Sequence, residues 1–341
     1  MKKTIPLLSI LVPAYNCAGS LERGVLSLVS HKMNHLLEIL IVNDGSKDET
    51  LQIAVKLAKE WSMVNVVDKK NGGHGSTINV GIEKASGHYF RIMDSDDYFD
   101  TEEFVKFLQR LKDETADIVL TDYSEDQIGA KRLKPVLNYT NFKKYQKLQL
   151  ENLSNGKTGF QTLGPLLSTT TCKTQLLKNA NFKLDEHCFY VDMEYNFIVY
   201  VSAETIIYYP LNVYRYVKGY AEQSISTENM RKNYHQHEKV CLKLLKEYRK
   251  RKDELTVGKY TYLRDKLVAE MCNWHYYILL HYVKDRVTFL KFDQKLRQYP
   301  DFYSHSKVAS KLVCMIRLCN GYGIKVVVLV NELLNRVRGV D

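Results

Sequence analysis

The chain has 341 residues, 45% of them apolar and 26% charged, and a formal net charge of +10. That length suits about two domains with cores of their own, and the composition is that of a globular protein, which excludes a disordered, collagenous or low-complexity chain. The charge is uneven: through Ile225 there are 26 basic and 27 acidic residues, and from Ser226 onward 23 basic and 12 acidic.

The first hundred residues alternate strand and helix signals. Leu7 to Val12 is a short apolar run ending at Pro13, which predicts a buried strand. Ser20 looks like an N-cap, with Leu21, Val25, Leu28 and Val29 on one helical face. Glu38 to Val42 predicts a second strand, Asp48 to Trp61 a helix, and Met63 to Val67 a third strand. A Gly-rich stretch, Lys70 to Gly75, leads to a helix over Thr77 to Ala85. Tyr89 to Met93 predicts a fourth strand, Thr101 to Leu111 a helix, and Asp117 to Thr121 another strand. Residues 122–165 read as irregular and polar, and beyond Glu228 helical spacing dominates. Such alternation means βαβ units and a mostly parallel sheet, whose ligand sits outside the carboxyl ends of the strands. Four polar segments fall at those ends: Pro13 to Asn16, Asn43 to Ser46, Lys69 to Gly75 and Asp94 to Asp97. They should converge on one crevice.

Seven Cys are scattered as Cys17, Cys172, Cys188, Cys241, Cys272, Cys314 and Cys319. Their number is odd and no CxxC pair occurs, so neither a disulfide framework nor a zinc module is expected, and the thiols read as free in a reducing compartment. Met1-Lys2-Lys3 is followed by a mixed segment broken by Pro6 and Pro13, unlike a signal peptide. No stretch approaches the roughly 20 apolar residues of a membrane span. A cytoplasmic location is the expectation.

Asp94-Ser95-Asp96-Asp97 is the sharpest chemical signal. Three carboxylates after a buried strand repel one another unless a cation joins them. Oxygen ligands suit Mg²⁺ or Mn²⁺ held together with substrate phosphates. The plain alternative is an acidic start to the following helix. Asn43-Asp44-Gly45-Ser46 reads by itself as a turn, and Asn71-Gly72-Gly73-His74-Gly75 offers backbone N–H groups ahead of a helix, a cradle for phosphate or ribose. It is not GxGxxG, so a dinucleotide reading is weak, and His74 by itself reads more readily as a loop histidine than as a catalyst.

Together these segments resemble the family 2 glycosyltransferases, inverting sugar transferases of the GT-A fold, over about residues 7–226. The resemblance rests on Ser9 to Asn16, Ile41 to Asp48, Asn71-Gly72-Gly73 leading to Asn79, the Gly87 to Phe99 block, and Tyr190-Val191-Asp192. It implies an α/β fold, the Rossmann-like GT-A domain with a mostly parallel sheet flanked by helices, over residues 1–226, followed by a basic, mainly helical region over 227–341. It implies that Pro13, Tyr15 and Asn16 line a nucleotide pocket, that Asp44 holds base or ribose, and that Asn71 and Gly73 lie along the nucleotide. Asp94, Ser95 and Asp96 form its DxD motif, with Asp94 and Asp96 holding Mn²⁺ or Mg²⁺ and the diphosphate. Asp192 stands at the catalytic base, with Val191 where the family usually has Glu, and Glu194 is the fallback. Thr77-Ile78-Asn79 stands where the family often has Ala-Arg-Asn, so any Arg contact from there is lost. Tyr214-Arg215-Tyr216 and Gln223 to Ser226 resemble a segment of bacterial polysaccharide-building members, where Arg215 would reach the diphosphate or acceptor, as His74 also could. Processive members carry Gln-x-x-Arg-Trp, whereas neither Trp61 nor Trp274 follows an Arg, so one sugar per encounter is expected.

The implied reaction moves a sugar from a nucleoside diphosphate, UDP by family frequency, to a glycan or lipid-linked glycan acceptor in surface polysaccharide synthesis. Its rivals are a nucleotidyltransferase on a similar fold, a binding module that has kept the pocket, and a HAD-type phosphatase. For the first, Pro13-Ala14-Tyr15-Asn16 lacks the Gly-rich, Arg- and Lys-bearing loop expected after the first strand, and for the last, no early Asp followed by Thr is present. In the basic third, Lys243, Lys246 and Arg249 to Lys252 cluster, and Ile324 to Val337 has apolar residues at helical spacing. That suits a helix at an anionic membrane face. A helical domain packed on the catalytic core, or a homodimer interface, is the alternative use. No nucleic-acid module appears, so nucleic acid is not an expected partner.

Overall fold

The computed structural model describes residues 5–30, 33–129, 132–136, 139, 142–155, 167–219, 227–326 and 328–330. The chain divides into two compact units, residues 1–221 with 257–259, and residues 222–256 with 260–341.

The first unit opens with β1 (Leu8–Ala14), α1 (Leu21–Ser27), β2 (Leu37–Asn43), α2 (Thr50–Glu60), β3 (Val64–Asp68), α3 (His74–Lys84), β4 (Tyr89–Ile92), β5 (Tyr98–Phe99) and α4 (Thr101–Leu111). It continues with β6 (Ile118–Gln127), β7 (Lys134–Val136), β8 (Leu148–Gln149), β9 (Thr170–Lys173), α5 (Thr174–Asn179), α6 (Val191–Ser202) and β10 (Thr205–Lys218). The strands lie in the order β3-β2-β1-β4-β9-β6-β10-β5, with β7 beside β6 and β8 beside β10. β1 to β4 pair in parallel, whereas β9 is antiparallel to both β4 and β6. The sheet is therefore mixed, and β9 is the strand that alternation of βα units did not foretell.

Register brings the strand ends together. Ala14 pairs with Asn43, Asn43 with Asp68, and Leu11 with Ile92, so the first four strands end side by side. β1 and all of β2 except Glu38 are buried, as their near-continuous apolar runs require. α4 seats Phe104, Phe107, Leu108 and Leu111 fully in the core, each worth about 1.5–3 kcal/mol of transfer free energy. Its N-cap is Asp100, whose Oδ1 accepts from the Glu103 N–H at 3.0 Å. Arg91 of β4 is fully buried and gives its protons to the Ser168 carbonyl and the Thr121 and Thr171 hydroxyls. Its guanidinium also lies 4.9 Å from the Phe99 ring centre. Those contacts lash β4 to β9 and β6 immediately before the acidic loop.

Two expectations for this unit change. Residues 122–127 are strand, not irregular, because partners from β10 satisfy their polar side chains: Tyr208 donates to Asp122 at 2.6 Å and Asn212 to Ser124 at 2.7 Å. α3 starts at His74, three residues before the predicted Thr77.

The second unit is helical: α7 (Thr227–Lys250), α8 (Val257–Leu263), α9 (Ala269–Ile278), α10 (Arg286–Leu296), α11 (Pro300–Ala309) and α12 (Lys311–Leu318), with π-turns over Arg264–Val268 and Leu279–Val283. Its core is rich in rings, including Tyr248, Tyr262, Tyr276, Phe289 and Phe292. Polar groups are inside too. Arg317 donates to buried Asp293 at 2.6 Å, to the Tyr276 and Ser306 hydroxyls at 2.9 Å, and stacks on Tyr303. Of the predicted helix from Ile324 to Val337, residues 324–326 and 328–330 are helical, and the remainder lies outside the described residues, as does Gln223 to Ser226.

Candidate active site

The four loops predicted to converge do so, and named bonds join them. The Asn16 N–H donates to Ser46 Oγ at 3.0 Å and the Lys47 N–H to Asn16 Oδ1 at 2.8 Å, which ties the loop after β1 to the loop after β2. Asn16 itself has φ 49°, a left-handed conformation that Asn tolerates. The Cys17 thiol shares a hydrogen bond with Ser95 of the loop after β4. Asp44 is the hub between the loops after β2 and β3. Its carboxylate accepts from Lys69 Nζ at 2.6 Å, the Gly72 N–H at 2.9 Å and the Gly73 N–H at 2.8 Å. Asn71 Nδ2 donates to the Asp44 carbonyl at 2.9 Å.

Two glycines make a further junction possible. Gly73 has φ +82°, and the His187 N–H donates to the Gly72 carbonyl at 2.6 Å. At Gly75 a Cβ would overlap the Asp185 carbonyl oxygen. Only a residue without a side chain lets the start of α3 meet the loop that leads into α6. Asn79 closes the same seam with a reciprocal pair to the backbone of Leu184, both bonds 2.9 Å. Ile78, in the place where an Arg was missing, is fully buried.

On this scaffold Asp94, Asp96, His74 and Asp192 become neighbours. Loss of solvation raises the carboxyl of Asp94 above its ordinary value, and the charges of Asp96 and Asp192 raise it further. Asp96 is raised by the same desolvation, against the pull of Arg23 and His74. Asp192 sits in the first turn of α6, exposed to solvent yet surrounded by enough protein that desolvation raises its carboxyl, with His74 pulling it down. His74 is pushed down by desolvation and pulled back up by Asp192, Asp44 and Asp96. Among the described residues no Lys or Arg is hydrogen-bonded or ion-paired to the carboxylates of Asp94, Asp96 or Asp192. Arg23 donates to the Asp96 carbonyl instead, at 2.7 Å. Tyr15 and Asn16 are exposed at the edge of the crevice, and Asn71 and Ser95 are at least partly so.

Three expected contributors sit elsewhere. Glu194 is buried and its carboxylate accepts from the Asp185 N–H at 2.7 Å, so it braces the loop before α6. Arg215 does not reach into the crevice. It is buried, paired with Asp100 at 2.6 Å and bonded to the Asn212 carbonyl and side chain at 2.8 Å. Its position on β10 beside β5 directs the guanidinium to the α4 cap. Pro13 is buried within β1 and supports the loop from beneath.

Sequence reasoning gave no role to Lys69 or Tyr214 and grouped Asp97 with the other two carboxylates of the acidic loop. Tyr214 donates to Asp97 at 2.5 Å and accepts from the Asp94 N–H at 3.2 Å, so one hydroxyl holds both ends of the acidic loop. Asp97 also accepts from the Val217 N–H at 2.7 Å and is buried, which separates it from the half-buried Asp94 and Asp96. Alternation was the available signal, since Tyr214 and Tyr216 face opposite to Arg215 along the strand.

A mixed sheet with acidic and glycine loops gathered at its strand ends defines an α/β domain with a polar crevice at those ends. Comparison narrows the class. Residues 9–178 match the model of glycosyl transferase family 2. Over 118 residues the chain is 41% identical to a chondroitin synthase and 40% to a hyaluronan synthase of Pasteurella multocida, covering 34% of this chain and 12% of each synthase. It is 36% identical over 115 residues to the uncharacterized glycosyltransferase EpsJ of Bacillus subtilis, or 34% of this chain and 33% of that one. The crystal structure of S. aureus TarS 1–349 superposes with a TM-score of 0.66 at 19% identity, covering 93% of this chain and 90% of that one. The same protein in complex with UDP-GlcNAc superposes with a TM-score of 0.56 and 18% identity, covering 93% of each chain. Through its first unit, the chain belongs to glycosyl transferase family 2.

Proposed function

We propose that this protein transfers a sugar from a UDP carrier to a hydroxyl of a glycan or lipid-linked glycan, in one displacement that inverts the anomeric centre. The observation that carries the reading is the meeting of Asp94, Asp96 and Asp192 beside the Asp44-organised loop, with no Lys or Arg among the described residues hydrogen-bonded or ion-paired to their carboxylates. The nucleotide lies along Tyr15, Asn16, Asn71 and Gly73. Asp44 serves it indirectly, by fixing the backbone of residues 69–73. Asp192 takes the proton from the acceptor hydroxyl, and its raised carboxyl strengthens it as a base. The TarS complexes with UDP and UDP-GlcNAc favour UDP over other carriers.

The residues fit a divalent cation. Asp94 and Asp96 present partly accessible carboxylates, both raised by desolvation and Asp94 further by the charge of Asp96, the mark of a site short of positive charge. Bound there with the diphosphate, Mn²⁺ or Mg²⁺ would offset the negative charge that develops on the leaving group. Transfer is non-processive in this reading and takes place at the cytoplasmic side.

A thermal-shift series with UDP, GDP, CDP and dTDP, each with Mn²⁺ or with EDTA, tests the pocket. A rise in melting temperature with UDP and Mn²⁺, lost in EDTA, is the expected result. No shift with any nucleotide overturns the reading. The basic helical unit is proposed to rest on an anionic membrane face, supported by exposed Leu318, Tyr322, Val326, Leu329 and Val330 near Lys311 and Lys325. No helix among the described residues is long and apolar enough to cross a membrane. Flotation with anionic liposomes at low salt is the check, and protein left at the bottom of the gradient refutes it.

A further inference from the structure

The helical unit holds a second constellation, remote in chemistry from sugar transfer. His237 and Cys241 are four residues apart on α7, and Cys272 and His275 three apart on α9. Spacings of four and three put both members of each pair on one face of their helix. Here the two faces meet. His275 Nδ1 is 3.2 Å from His237 Nδ1, and His237 Nδ1 is 3.4 Å from Cys241 Sγ. One ligand atom from each of the three lies within 4.8 Å of the other two, and all three side chains are buried. The imidazoles stack with ring centres 5.1 Å apart. Cys272 is buried as well, and its thiol is hydrogen-bonded to that of Cys241.

We propose that these residues form a structural site for a thiolate- and imidazole-loving divalent cation, Zn²⁺ in the first place. Geometry is the first argument. Zn–N near 2.05 Å and Zn–S near 2.3 Å in a tetrahedron set ligand atoms about 3.3 Å (N to N) and 3.6 Å (N to S) apart. The two observed separations, 3.2 and 3.4 Å, are close to those edges. The second argument is the arrangement of protons without a metal. Two Nδ1 atoms in contact need one proton between them, and a buried neutral ring must then keep its other nitrogen from water. The Nε2 of His275 is buried with no hydrogen-bond partner, a cost that a packed aromatic ring would avoid. The third is charge. All four side chains are fully buried, so a bound ion has to be balanced by its own ligands. Two thiolates with two neutral imidazoles cancel the charge of one divalent ion, releasing two protons to solvent on binding. With Cys272 as fourth ligand the set is closed, with no open position for substrate, so it staples α7 to α9 and does no chemistry. The absence of a CxxC hid it, because its ligands come in helical spacings on two helices.

Co²⁺ is the probe. The intact chain, with any affinity tag removed and under anaerobic reducing conditions, is stripped with chelator and titrated with CoCl₂. Expected are the d–d bands of tetrahedral cobalt and a thiolate-to-cobalt charge-transfer band, saturating at one ion per chain and abolished by one equivalent of Zn²⁺. The carboxylates of Asp94 and Asp96 cannot give the charge-transfer band, so the result stands or falls apart from the transferase reading. Cys241→Ala is expected to weaken that band, Cys241→Ala with Cys272→Ala to lose it, and Asp96→Asn to keep it. A wild-type chain that saturates with no charge-transfer band, or binds no Co²⁺, overturns the proposal, and needs no variant to fold.

Discussion

Although the α/β unit buries partnered polar side chains such as Arg91 and Arg215, the two units differ in those left unpaired among the described residues. In the α/β unit they collect at the strand ends, where Asp94, Asp96 and Asp192 keep contact with solvent. In the helical unit the decisive ones are inside: Asp293 and His275 are at most 1% exposed, and the Arg317 side chain is 8% exposed. A carboxylate left accessible and unpaired is held ready for something that comes and goes. One sealed among Arg, Tyr and Ser is committed to the fold. The distinction predicts that damage to the first kind removes activity and spares stability, and that damage to the second does the reverse.

The largest test of that contrast is Asp192→Asn. General-base catalysis contributes about 10²–10⁴-fold, and transfer should fall by that factor. The melting temperature and the UDP-induced shift should stay near those of the parent protein. Turnover within a few fold of the parent would remove Asp192 from the mechanism. The mirror case is Asp293→Ala. Asp293 accepts from Tyr276 at 2.8 Å and Arg317 at 2.6 Å, so truncation leaves a buried guanidinium without its anion. Breaking such a pair costs about 3–5 kcal/mol. Urea unfolding followed by circular dichroism should show the helical unit failing early, with UDP binding preserved in dilute urea. A change under 1 kcal/mol, on the order of one ordinary hydrogen bond, would mean the network is dispensable.

How much of this was legible beforehand also divides by unit. The strand-ending loops were readable because Pro, Gly, Asn and Asp punctuate apolar runs, and the same residues carry the proposed chemistry. Asp44 was found as a site residue, but its task was not. A carboxylate that binds ligand and one that binds two backbone amides look alike in sequence, and only the fold brings Gly72 and Gly73 to it. Arg215 misled for the same reason: its pairing with Asp100 is 115 residues distant in the chain. In the helical unit His237 and Cys241, or Asp293 and Arg317, are ordinary helix residues until two faces are known to touch. Local pattern shows which residues share a face, but not what that face meets.

Glu194→Gln draws the finest line, because Glu194 and Asp192 are two residues apart in α6 and differ only in what surrounds them. The Glu194 carboxylate faces inward and receives the Asp185 N–H. An amide oxygen can receive the same proton, so the loop before α6 should remain in place. The exchange gives up a charge-assisted bond for a neutral one, a loss of about 1 kcal/mol. Turnover should remain within a few fold, with the pH profile of kcat unmoved, because in the proposed mechanism the group that titrates in catalysis is Asp192. If Glu194→Gln instead removed the acidic limb of that profile, the base would be Glu194. Accessibility would then have been the wrong guide to which carboxylates of this unit are held in reserve for substrate.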